Sequence, residues 1–261
     1  MCVFAHPDDE SIGMGGTLAR YAREQVRTYV VTATRGERGR HGTLRERPTP
    51  EALGAIRERE ARAAGAVLGV HQMWFLGHPD GGLDRVNSAC IITEIAGLIR
   101  LVRPQVVVTL PPDGIDGHPD HIAISQIASS AVLRAADADC RIGEQRAHVV
   151  SKLYYLACPA GMLEAYQETF GRVHIVVDGE ARGTTPWPPW AVTTVLDTSD
   201  LCGTVWEAVQ CHATQMAGRQ GFARPDEERH RTLWGTQRFS RVISLVNGGR
   251  ALETDLFEGL R

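Results

Sequence analysis

Residues 2–10, with the sequence CVFAHPDDE, decide the fold. Residues 2–5 are apolar and predict a buried β-strand, and the polar cluster His6 to Glu10 follows at once. From residue 17, apolar residues recur at the three-to-four spacing of a helix. A strand followed by a helix in this way predicts the first half of a βαβ unit, with the polar cluster at the carboxyl end of the strand.

The first half of the chain repeats this alternation. Further strands are predicted at residues 28–34, 73–76 and 105–110, and helices at residues 17–25, 51–68, 88–102 and 119–136. The second half is less regular, with a predicted strand at 153–156, helices at 163–170 and 201–217, and a Pro/Trp stretch at 184–190. The pattern predicts an α/β fold: a doubly wound, Rossmann-like and mostly parallel sheet with helices on both faces and a smaller C-terminal part.

Length and composition favour a single domain. A chain of 261 residues with 43% hydrophobic content can bury one large core. We expect one domain over residues 1–261, in which residues 1–150 form the sheet core with the site and residues 151–261 shape the substrate pocket. Only four residues separate Met1 from His6. The first strand is therefore short for a central position, which leaves room for an upstream extension of the native chain.

The charge balance and the cysteines argue against several classes of protein. The chain has 28 Lys and Arg against 31 Asp and Glu, a net charge of −3, so no basic field draws it to nucleic acid or an anionic membrane. No apolar run reaches the ~20 residues that cross a bilayer, and the N-terminus lacks a signal-peptide pattern. The six cysteines include no CxxC pair. We expect them to be reduced and mostly buried, in a cytoplasmic protein.

Two polar clusters coincide with predicted strand ends, where doubly wound sheets bind their ligands. His6, Asp8 and Asp9 follow the first strand, and residues 117–121, GHPDH, come shortly after the fourth. A catalytic zinc takes about three nitrogen or carboxylate ligands and leaves one position for water. His6, Asp9 and His121 supply that set, which predicts one Zn²⁺ per chain.

The polar residues left beside this predicted metal site suit hydrolysis. Asp8 can take a proton from water as a general base, and His118 can stabilise an oxyanion and protonate a leaving group. Asp120 can orient and charge His118. A third His-Pro-Asp, at residues 78–80, is followed by two glycines and predicts only a turn.

Other conspicuous residues have plain structural explanations. A histidine without ligand-like spacing is more often a hydrogen-bonded structural residue, which is our interpretation of His41, His71, His148, His174 and His230. Taken alone, residues 8–10 could be an acidic cluster at a helix N-terminus. The glycines of residues 13–16 lack the GxGxxG spacing of a dinucleotide loop, so no nucleotide is expected there.

Two further features stay open between a binding role and a structural one. A basic loop next to the predicted site either binds an anionic part of the substrate or is simply solvated; it contains Arg35, Arg38, Arg40, His41, Arg45 and Arg47. Trp187 and Trp190 either form a sugar-binding wall or belong to a rigid, core-packed loop.

Residues 5–10, AHPDDE, and residues 118–121, HPDH, together resemble the PIG-L/LmbE-like family of zinc N-acetylglucosamine deacetylases, which includes mycothiol- and bacillithiol-pathway enzymes. The similarity extends over nearly the whole chain. It includes residues 34–39, TRGERG; residues 57–60, RERE, with residues 68–69, LG; residues 75–77, FLG; residues 79–81, PDG; residues 212–215, HATQ; and residues 253–257, ETDLF.

The resemblance implies the same zinc ligands and the same roles for the other cluster residues. It adds substrate contact from Arg57, with Glu37 and Asp116 as further candidates for substrate binding. One departure concerns the mobile tyrosine that mycothiol-pathway relatives carry shortly before the second histidine cluster. This chain has Ile115-Asp116-Gly117 there, so the resemblance does not supply a tyrosine-assisted oxyanion site.

The expected activity is zinc-dependent removal of an N-acetyl group from an N-acetylglucosamine-type sugar or sugar conjugate. The expected partner is that small molecule, with no nucleic acid and no membrane, and a homo-oligomer would be similar to some relatives. Two alternatives stay open. One is a zinc hydrolase of another amide or ester bond, such as a phosphoester, which only the basic loop favours. The other is a noncatalytic metal- or carbohydrate-binding protein. It is disfavoured because metal binding alone does not require Asp8, His118 and Asp120.

Overall fold

The computed structural model describes residues 1–170, 174–177, 179–217, 226–249 and 251–261. The strands in this part of the chain are β1 Cys2–Phe4, β2 Tyr29–Thr34, β3 Gln72–His78, β4 Val106–Thr109, β5 Lys152–Leu156, β6 His174–Val177, β7 Glu180–Gly183, β8 Thr194–Asp197 and β9 Thr236–Ser244. The helices are α1 Asp9–Arg23, α2 Pro50–Val67, α3 Ser88–Val102, α4 Gly114–Gly117, α5 Pro119–Ala136, α6 Ala160–Phe170, α7 Cys202–Cys211, α8 Ala213–Met216 and α9 Glu227–Trp234.

Seven of these strands form one sheet in the order β3-β2-β1-β4-β5-β9-β8. The strands from β3 to β5 in this order pair in parallel, and β9 and β8 continue the sheet in antiparallel fashion. Helices α1, α2 and α7 pack together in one group, and α3 and α5 in another. The order reverses direction at β1 and β4, which is the doubly wound arrangement, so the predicted fold class is confirmed.

The less regular second half contributes directly to this sheet. β5, β9 and β8 extend it beyond β4, and only β6 and β7 form a separate hairpin among the described residues. The carboxyl ends of β1 and β4 are adjacent, because β1 pairs with both β2 and β4. The chain segments that leave these two strands therefore meet at one edge of the sheet, and both predicted polar clusters lie there.

Helix α1 begins eight residues before the predicted start at residue 17, directly after the first polar cluster. The apolar spacing is hidden there because glycines occupy the packed face. A Cβ atom on Gly15 would lie 2.9 Å from Val205 Cγ1, and one on Gly16 would lie 2.8 Å from Thr198 Cβ. These glycines let α1 approach α7 and the segment before it, and they form a helix rather than a phosphate-binding loop.

The helix predicted at residues 201–217 is divided in the structure. α7 ends at Cys211 and α8 begins at Ala213, with the buried His212 between them. The break between the helices lets the side chain of His212 contact Glu10 in α1. The spacing of apolar residues in this segment does not predict that contact.

A buried polar network attaches the end of the chain to the sheet. Glu253, which is 1% exposed, accepts hydrogen bonds from Lys152 Nζ at 2.7 Å and from Tyr154 Oη at 2.6 Å. Thr194 also donates to it at 2.7 Å, and Arg241 Nη1 lies 2.7 Å from the same carboxylate. One carboxylate thus joins β5, β8 and β9, and its burial is stabilised because it is fully paired.

All six cysteines are free, but the prediction that most are buried is wrong. Only Cys2 and Cys202 are buried, while Cys90 is exposed. Cys90 lies in the first turn of amphipathic helix α3, on the face that points away from the sheet. Over the described residues, no helix combines the length and the apolar character that a membrane crossing needs.

Candidate active site

The first polar cluster forms the start of α1. Asp9 is the first residue of the helix, and its Oδ2 accepts hydrogen bonds from the main-chain amides of Ala5, at 3.2 Å, and His6, at 2.9 Å. A carboxylate at a helix N-terminus is favoured by the exposed amides and the helix dipole. These bonds hold the Asp9 side chain beside the carboxyl end of β1.

The second polar cluster forms the start of α5. His118 caps this helix, since its Nδ1 accepts a hydrogen bond from the amide of Asp120 at 3.1 Å. Pro119 occupies the first helical position, where its missing N–H costs nothing. His121 is in the first turn and points towards the first cluster.

The three predicted metal ligands converge. His6 Nδ1 lies 3.1 Å from His121 Nε2, and Asp9 Oδ1 lies 3.6 Å from the same nitrogen. One donor atom from each of the three residues falls within 4.8 Å of the others. Two histidines and a carboxylate are a ligand set that zinc accepts in catalytic sites.

The outer nitrogen of each imidazole has its own acceptor. His6 Nε2 lies 3.1 Å from Asp80 Oδ1 and 3.2 Å from Asp120 Oδ2. His121 Nδ1 lies 3.0 Å from the carbonyl oxygen of Gly114 and 3.3 Å from Asp116 Oδ1. These acceptors place the ring proton on the outer nitrogen, so the facing nitrogens of the neutral rings both present lone pairs. Two lone pairs 3.1 Å apart repel each other unless a proton or a metal ion lies between them, and a metal ion can take the place of that proton.

The surroundings of His6 are strongly negative. Burial opposes a charge on this ring, but the carboxylates of Asp120 and Asp80 outweigh it and raise the pKa of His6 to about 10. The pKa of Asp80 is lowered to about 2, because the effect of His6 exceeds that of burial. Both shifts have the same meaning: the site stabilises positive charge at the position of His6, which is what a divalent cation requires.

Asp8 has a strained backbone. Its φ of 120° lies in a region that residues with a side chain rarely adopt. Its amide donates to Glu10 Oε2 at 3.0 Å, and its Oδ2 accepts from Arg57 Nη2 at 3.3 Å. Strain of this kind persists where the surrounding structure holds it and often occurs at active sites. Burial raises the pKa of Asp8, with Arg57 acting in the opposite sense, and a carboxylate with a raised pKa is a better base.

His118 lies beside the predicted ligands, with its ring centroid 4.9 Å from the rings of both His6 and His121. Burial and these two histidines lower the pKa of His118. Because Nδ1 accepts the Asp120 amide, the ring proton of neutral His118 is on Nε2. His118 can therefore donate a hydrogen bond in its neutral form.

The carboxylate of Asp120 does not contact His118 as the sequence suggested. It accepts from the amides of Gly81, at 2.6 Å, and Leu83, at 2.9 Å, and it faces His6. The reason is the direction of the side chain in the first turn of α5, which points to the loop after β3. Only the main-chain amide of Asp120 orients His118.

The predicted substrate-binding residues lie at the edge of this cluster. Arg57 is 3% exposed and donates to the carbonyl oxygens of Gly36, at 2.8 Å, and Pro7, at 2.5 Å. Glu37 Oε1 accepts from the amide of Asp80 at 2.9 Å. The side chain of Asp116 accepts from the His118 amide at 3.0 Å. All three join loops of the site, and their contact with substrate stays a prediction.

Three residues of the cluster were missed at the sequence level. Asp80 belongs to the third His-Pro-Asp, whose turn is present, yet its carboxylate is buried against His6. Its position directly after β3 was the available signal. Glu10 and His212 form a buried pair, with Glu10 Oε1 2.8 Å from His212 Nε2. They are 202 positions apart, and no local pattern connects them.

The structure shows the surroundings of the two features that the sequence left open, and the role of the basic loop stays open. Trp187 Nε1 donates to Asp113 Oδ2 at 3.1 Å, which favours the rigid-loop interpretation for this residue, while Trp190 is 84% exposed. In the basic loop, Arg35 pairs with Glu58 at 3.1 Å and Arg47 Nη2 donates to the carbonyl oxygen of Arg38 at 3.1 Å. The arginines of this loop are exposed.

Of the histidines interpreted as structural, His148 and His230 have such surroundings. His148 Nε2 lies 2.8 Å from the carbonyl oxygen of Pro104. The His230 ring lies 5.5 Å from the rings of both Trp206 and Trp234. His78, from the third His-Pro-Asp, pairs with Glu94 at 2.9 Å, and the side chain of His174 lies outside the described part of the structure.

Comparison with known proteins gives a family match. The model of the PIG-L family, described as GlcNAc-PI de-N-acetylase, matches residues 1–132 of the 261-residue chain. A protein of Streptomyces avermitilis named 1D-myo-inositol 2-acetamido-2-deoxy-alpha-D-glucopyranoside deacetylase is 34% identical over 290 residues, which cover 100% of this chain and 96% of the relative. The resemblance predicted from the AHPDDE and HPDH motifs is thereby confirmed.

Solved structures show the same fold in proteins of different activity. N,N'-diacetylchitobiose deacetylase from Pyrococcus horikoshii matches with a TM-score of 0.66 and 20% identity, covering 92% of this chain and 82% of that one. 4-Carboxy-2-hydroxymuconate hydratase from Pseudomonas putida matches with a TM-score of 0.67 and 20% identity, covering 96% of this chain and 98% of that one. At this identity the similarity establishes the fold alone, and the reaction has to be argued from the site.

Proposed function

We propose, from the premise that this chain belongs to the PIG-L family, that it is a zinc-dependent hydrolase that removes the N-acetyl group from an N-acetylglucosamine-type sugar or sugar conjugate. The relative from Streptomyces avermitilis is named for a substrate with an acetamido-deoxy-glucose unit. The names of the relatives supply the substrate class, and the site supplies the chemistry.

One observation carries the proposal: the facing nitrogens of His6 and His121 are 3.1 Å apart, with the Asp9 carboxylate beside them. His6, Asp9 and His121 would hold the ion. A zinc ion in such a site supplies a Lewis acid that polarises a carbonyl group and makes water a nucleophile near neutral pH. With three protein ligands, one coordination position of the ion would stay open for water or substrate.

The remaining residues have separate tasks in the proposed reaction. Asp8 takes the proton of the attacking water, and Arg57 holds the Asp8 carboxylate in place. His118 donates a hydrogen bond from Nε2 to the oxyanion, a contribution of about 3 to 4 kcal/mol for one well-placed donor. Protonated His118 then delivers a proton to the leaving amine and returns to its neutral form. Asp120 and Asp80 act through His6, so we assign them as positioning residues.

Arg57, Glu37 and Asp116 stay our candidates for contact with the sugar. Arg57 Nε and Glu37 Oε2 are buried atoms without a hydrogen-bond partner in the structure. Buried polar atoms of this kind favour a ligand that satisfies them. Asp116 differs from these two, since it lines the cavity next to His121.

The test is to incubate zinc-loaded protein with a panel of N-acetylated sugars and to measure new primary amine and acetate. We expect release from N-acetylglucosamine conjugates, and at least about a hundredfold slower release from the Asp8→Ala variant. Phosphate release from a generic phosphoester, with no amine release, would instead establish the alternative zinc hydrolase. A zinc ion with no open coordination position would favour the noncatalytic metal-binding alternative.

The setting of this activity is also part of the proposal. We include one zinc ion per chain, a small-molecule substrate and a cytoplasmic location, and the six free cysteines support only the last of these. We include a homo-oligomer on the resemblance alone. Zinc content per chain after metal loading and the mass of the assembly in solution test these points directly.

A further inference from the structure

A cavity of about 150 Å³ opens beside Asp9, Asp116 and His121. It lies beside the carboxyl ends of β4 and β5 and the amino end of the antiparallel β9, between α1, α6 and α9. Most of its lining residues are apolar, and they include Leu110, Ile115, Leu156, Met162, Leu233 and Trp234. The cavity therefore borders the proposed metal site on one side, and the rest of its lining is mostly apolar, with Gln237 and Arg238 among the polar exceptions.

Several polar groups of the lining already have partners within the chain, including Arg238, whose Nη1 donates to the carbonyl oxygen of Thr236 at 3.4 Å. Gln237 Oε1 accepts from the Thr17 amide at 2.6 Å, and its Nε2 donates to the carbonyl oxygen of Gly13 at 2.9 Å. Asp116 is bound to His118 and His121. A sugar ring in this cavity would have its hydroxyl groups against hydrocarbon, which costs free energy for each unmade hydrogen bond. The cavity thus suits an apolar group.

The cavity lies on the opposite side of the metal site from the polar positioning residues. Asp8 and Asp80 come from the loops after β1 and β3, and Arg57 from α2. The sheet order runs β3-β2-β1-β4-β5-β9, so these residues lie towards β3 and the cavity lies towards β9. The two substituents of a trans amide point away from each other. A substrate whose amide lies at the metal site would place one substituent on each side.

We infer that this cavity binds the acyl substituent of the scissile amide, and that an apolar acyl group of about six carbons, such as hexanoyl or benzoyl, is a better substrate than acetyl. The inference rests on the proposed function. A cavity of about 150 Å³ with an aliphatic lining is large enough to hold benzene. A methyl group would leave most of this space empty, and dispersion contacts are lost wherever a void remains.

The reaction is the same hydrolysis with a larger leaving acid. Water adds to the carbonyl carbon, the carbon–nitrogen bond breaks, and the nitrogen leaves as an amine after it takes a proton. The products are an apolar carboxylate and the amino sugar. No oxidant, reductant or second substrate is needed.

The experiment is a chain-length series with zinc-loaded protein: N-acetyl-, N-butanoyl-, N-hexanoyl-, N-decanoyl- and N-benzoylglucosamine, followed by amine release. Burial of each methylene should raise kcat/KM roughly fourfold up to the length that fills the cavity. We expect a maximum near hexanoyl and a decrease at decanoyl. A steady decrease from acetyl onwards would overturn the inference while leaving the proposed function intact.

Cavity variants connect this preference to the named residues. Met162→Trp should reduce the cavity and lower the ratio of hexanoyl to acetyl turnover about tenfold or more, by the same area relation. Met162→Ala should move the maximum to longer chains. Glu164→Ala is the matched control, because Glu164 is on the same helix α6 with an exposed side chain and does not line the cavity. If the ratio of hexanoyl to acetyl turnover is unchanged in both Met162 variants, the acyl group does not bind in this cavity.

A binding measurement separates failure of the inference from failure of the proposed function. The carboxylate products can be titrated into zinc-loaded protein without any sugar. Hexanoate should bind at least tenfold more tightly than acetate, and Met162→Trp should remove this advantage. If hexanoate shows this preference and no glucosamine amide is cleaved, the sugar assignment is wrong and the apolar site stands. If hexanoate binds no better than acetate, the inference is wrong.

Discussion

The main-chain amide of Asp8 donates a hydrogen bond to the carboxylate of Glu10 at 3.0 Å, while Asp8 itself is held at a φ of 120°. The other oxygen of Glu10 lies 2.8 Å from His212 Nε2, and both side chains are fully buried. Although burial opposes both charges, His212 lowers the pKa of Glu10 and Glu10 raises the pKa of His212. A buried ion pair thus supports the strained backbone of the proposed general base.

Glu10→Gln should therefore misplace Asp8. We expect kcat to decrease about 10- to 100-fold with little change in KM, because a displacement near 1 Å costs this much. Zinc content should be unchanged, since Glu10 does not contact the ligand atoms. The control is Glu94→Gln, which breaks the partly exposed Glu94–His78 pair. Equal kcat values for the two variants would show that Glu10 does not position Asp8.

Asp8→Ala should retain zinc and lose most turnover. General-base catalysis contributes at least about a hundredfold in kcat, and Asp8 donates no ligand atom to the predicted zinc set. Metal content by mass spectrometry and kcat on an N-acetylglucosamine conjugate check both halves of the prediction. Wild-type kcat in Asp8→Ala would show that another group takes the proton.

His121→Ala should lose the metal, because it removes one of three ligands. The chain supplies a matched control in His78→Ala, which changes the histidine of the other His-Pro-Asp in the loop after β3. His78 pairs with Glu94 and has no ligand atom in the His6–Asp9–His121 group. Zinc titration should separate the two variants clearly, and equal loss of zinc from both would contradict the assignment of His121.

Asp80→Asn should weaken zinc binding without abolishing it. Loss of an acceptor behind a histidine ligand typically costs about 10- to 100-fold in metal affinity or activity. Asp80 is 3.1 Å from His6 Nε2, and its pKa of about 2 keeps it ionised near neutral pH. Competition with a chelator measures the affinity, and Asp84→Asn serves as the control, because Asp84 is in the same loop with an exposed side chain. An unchanged zinc affinity in Asp80→Asn would limit its role to the loop.

Glu253→Gln should destabilise the protein in a pH-dependent way. Burial alone would raise the pKa of Glu253, but Lys152 and Tyr154 lower it from 4.5 to about 2. The folded-state pKa is depressed, so the stabilisation is fully present above pH 4.5 and is lost as the pH falls towards 2. Loss of one partner of a buried pair costs about 3 to 5 kcal/mol.

Urea denaturation at pH 7 and near pH 3 checks this prediction. The difference in unfolding free energy between wild type and Glu253→Gln should be large at pH 7 and smaller near pH 3. Glu144→Gln is the control, since Glu144 is exposed. A difference that stays constant with pH would mean that packing, rather than the charge of Glu253, holds the C-terminal segment.

The sequence predicted β1 to β5 and helices α2, α3 and α5 well, where the apolar spacing was uninterrupted, but it missed β6 to β9 and α9. The helix expected at residues 88–102 and the helix from Pro119 to Ala136 have those bounds in the structure. The prediction failed for α1, whose packed face consists partly of glycine, and for α7 and α8, which are separated at His212. The prediction relies on the spacing of apolar side chains, so it does not detect a packed helix face that consists of glycine.

The sequence by itself determined the α/β fold and the placement of two polar clusters at adjacent strand ends, because alternation and spacing are local properties of the chain. It also named the residues whose ligand atoms the structure brings together. Only the tertiary structure decided which carboxylate faces which imidazole: Asp80 and Asp120 face His6, and Glu10 faces His212. These partners are far apart in the chain. Several carboxylates have the same chemistry, and the directions of their side chains after folding decide which of them faces a given imidazole. No local pattern in the sequence encodes those directions.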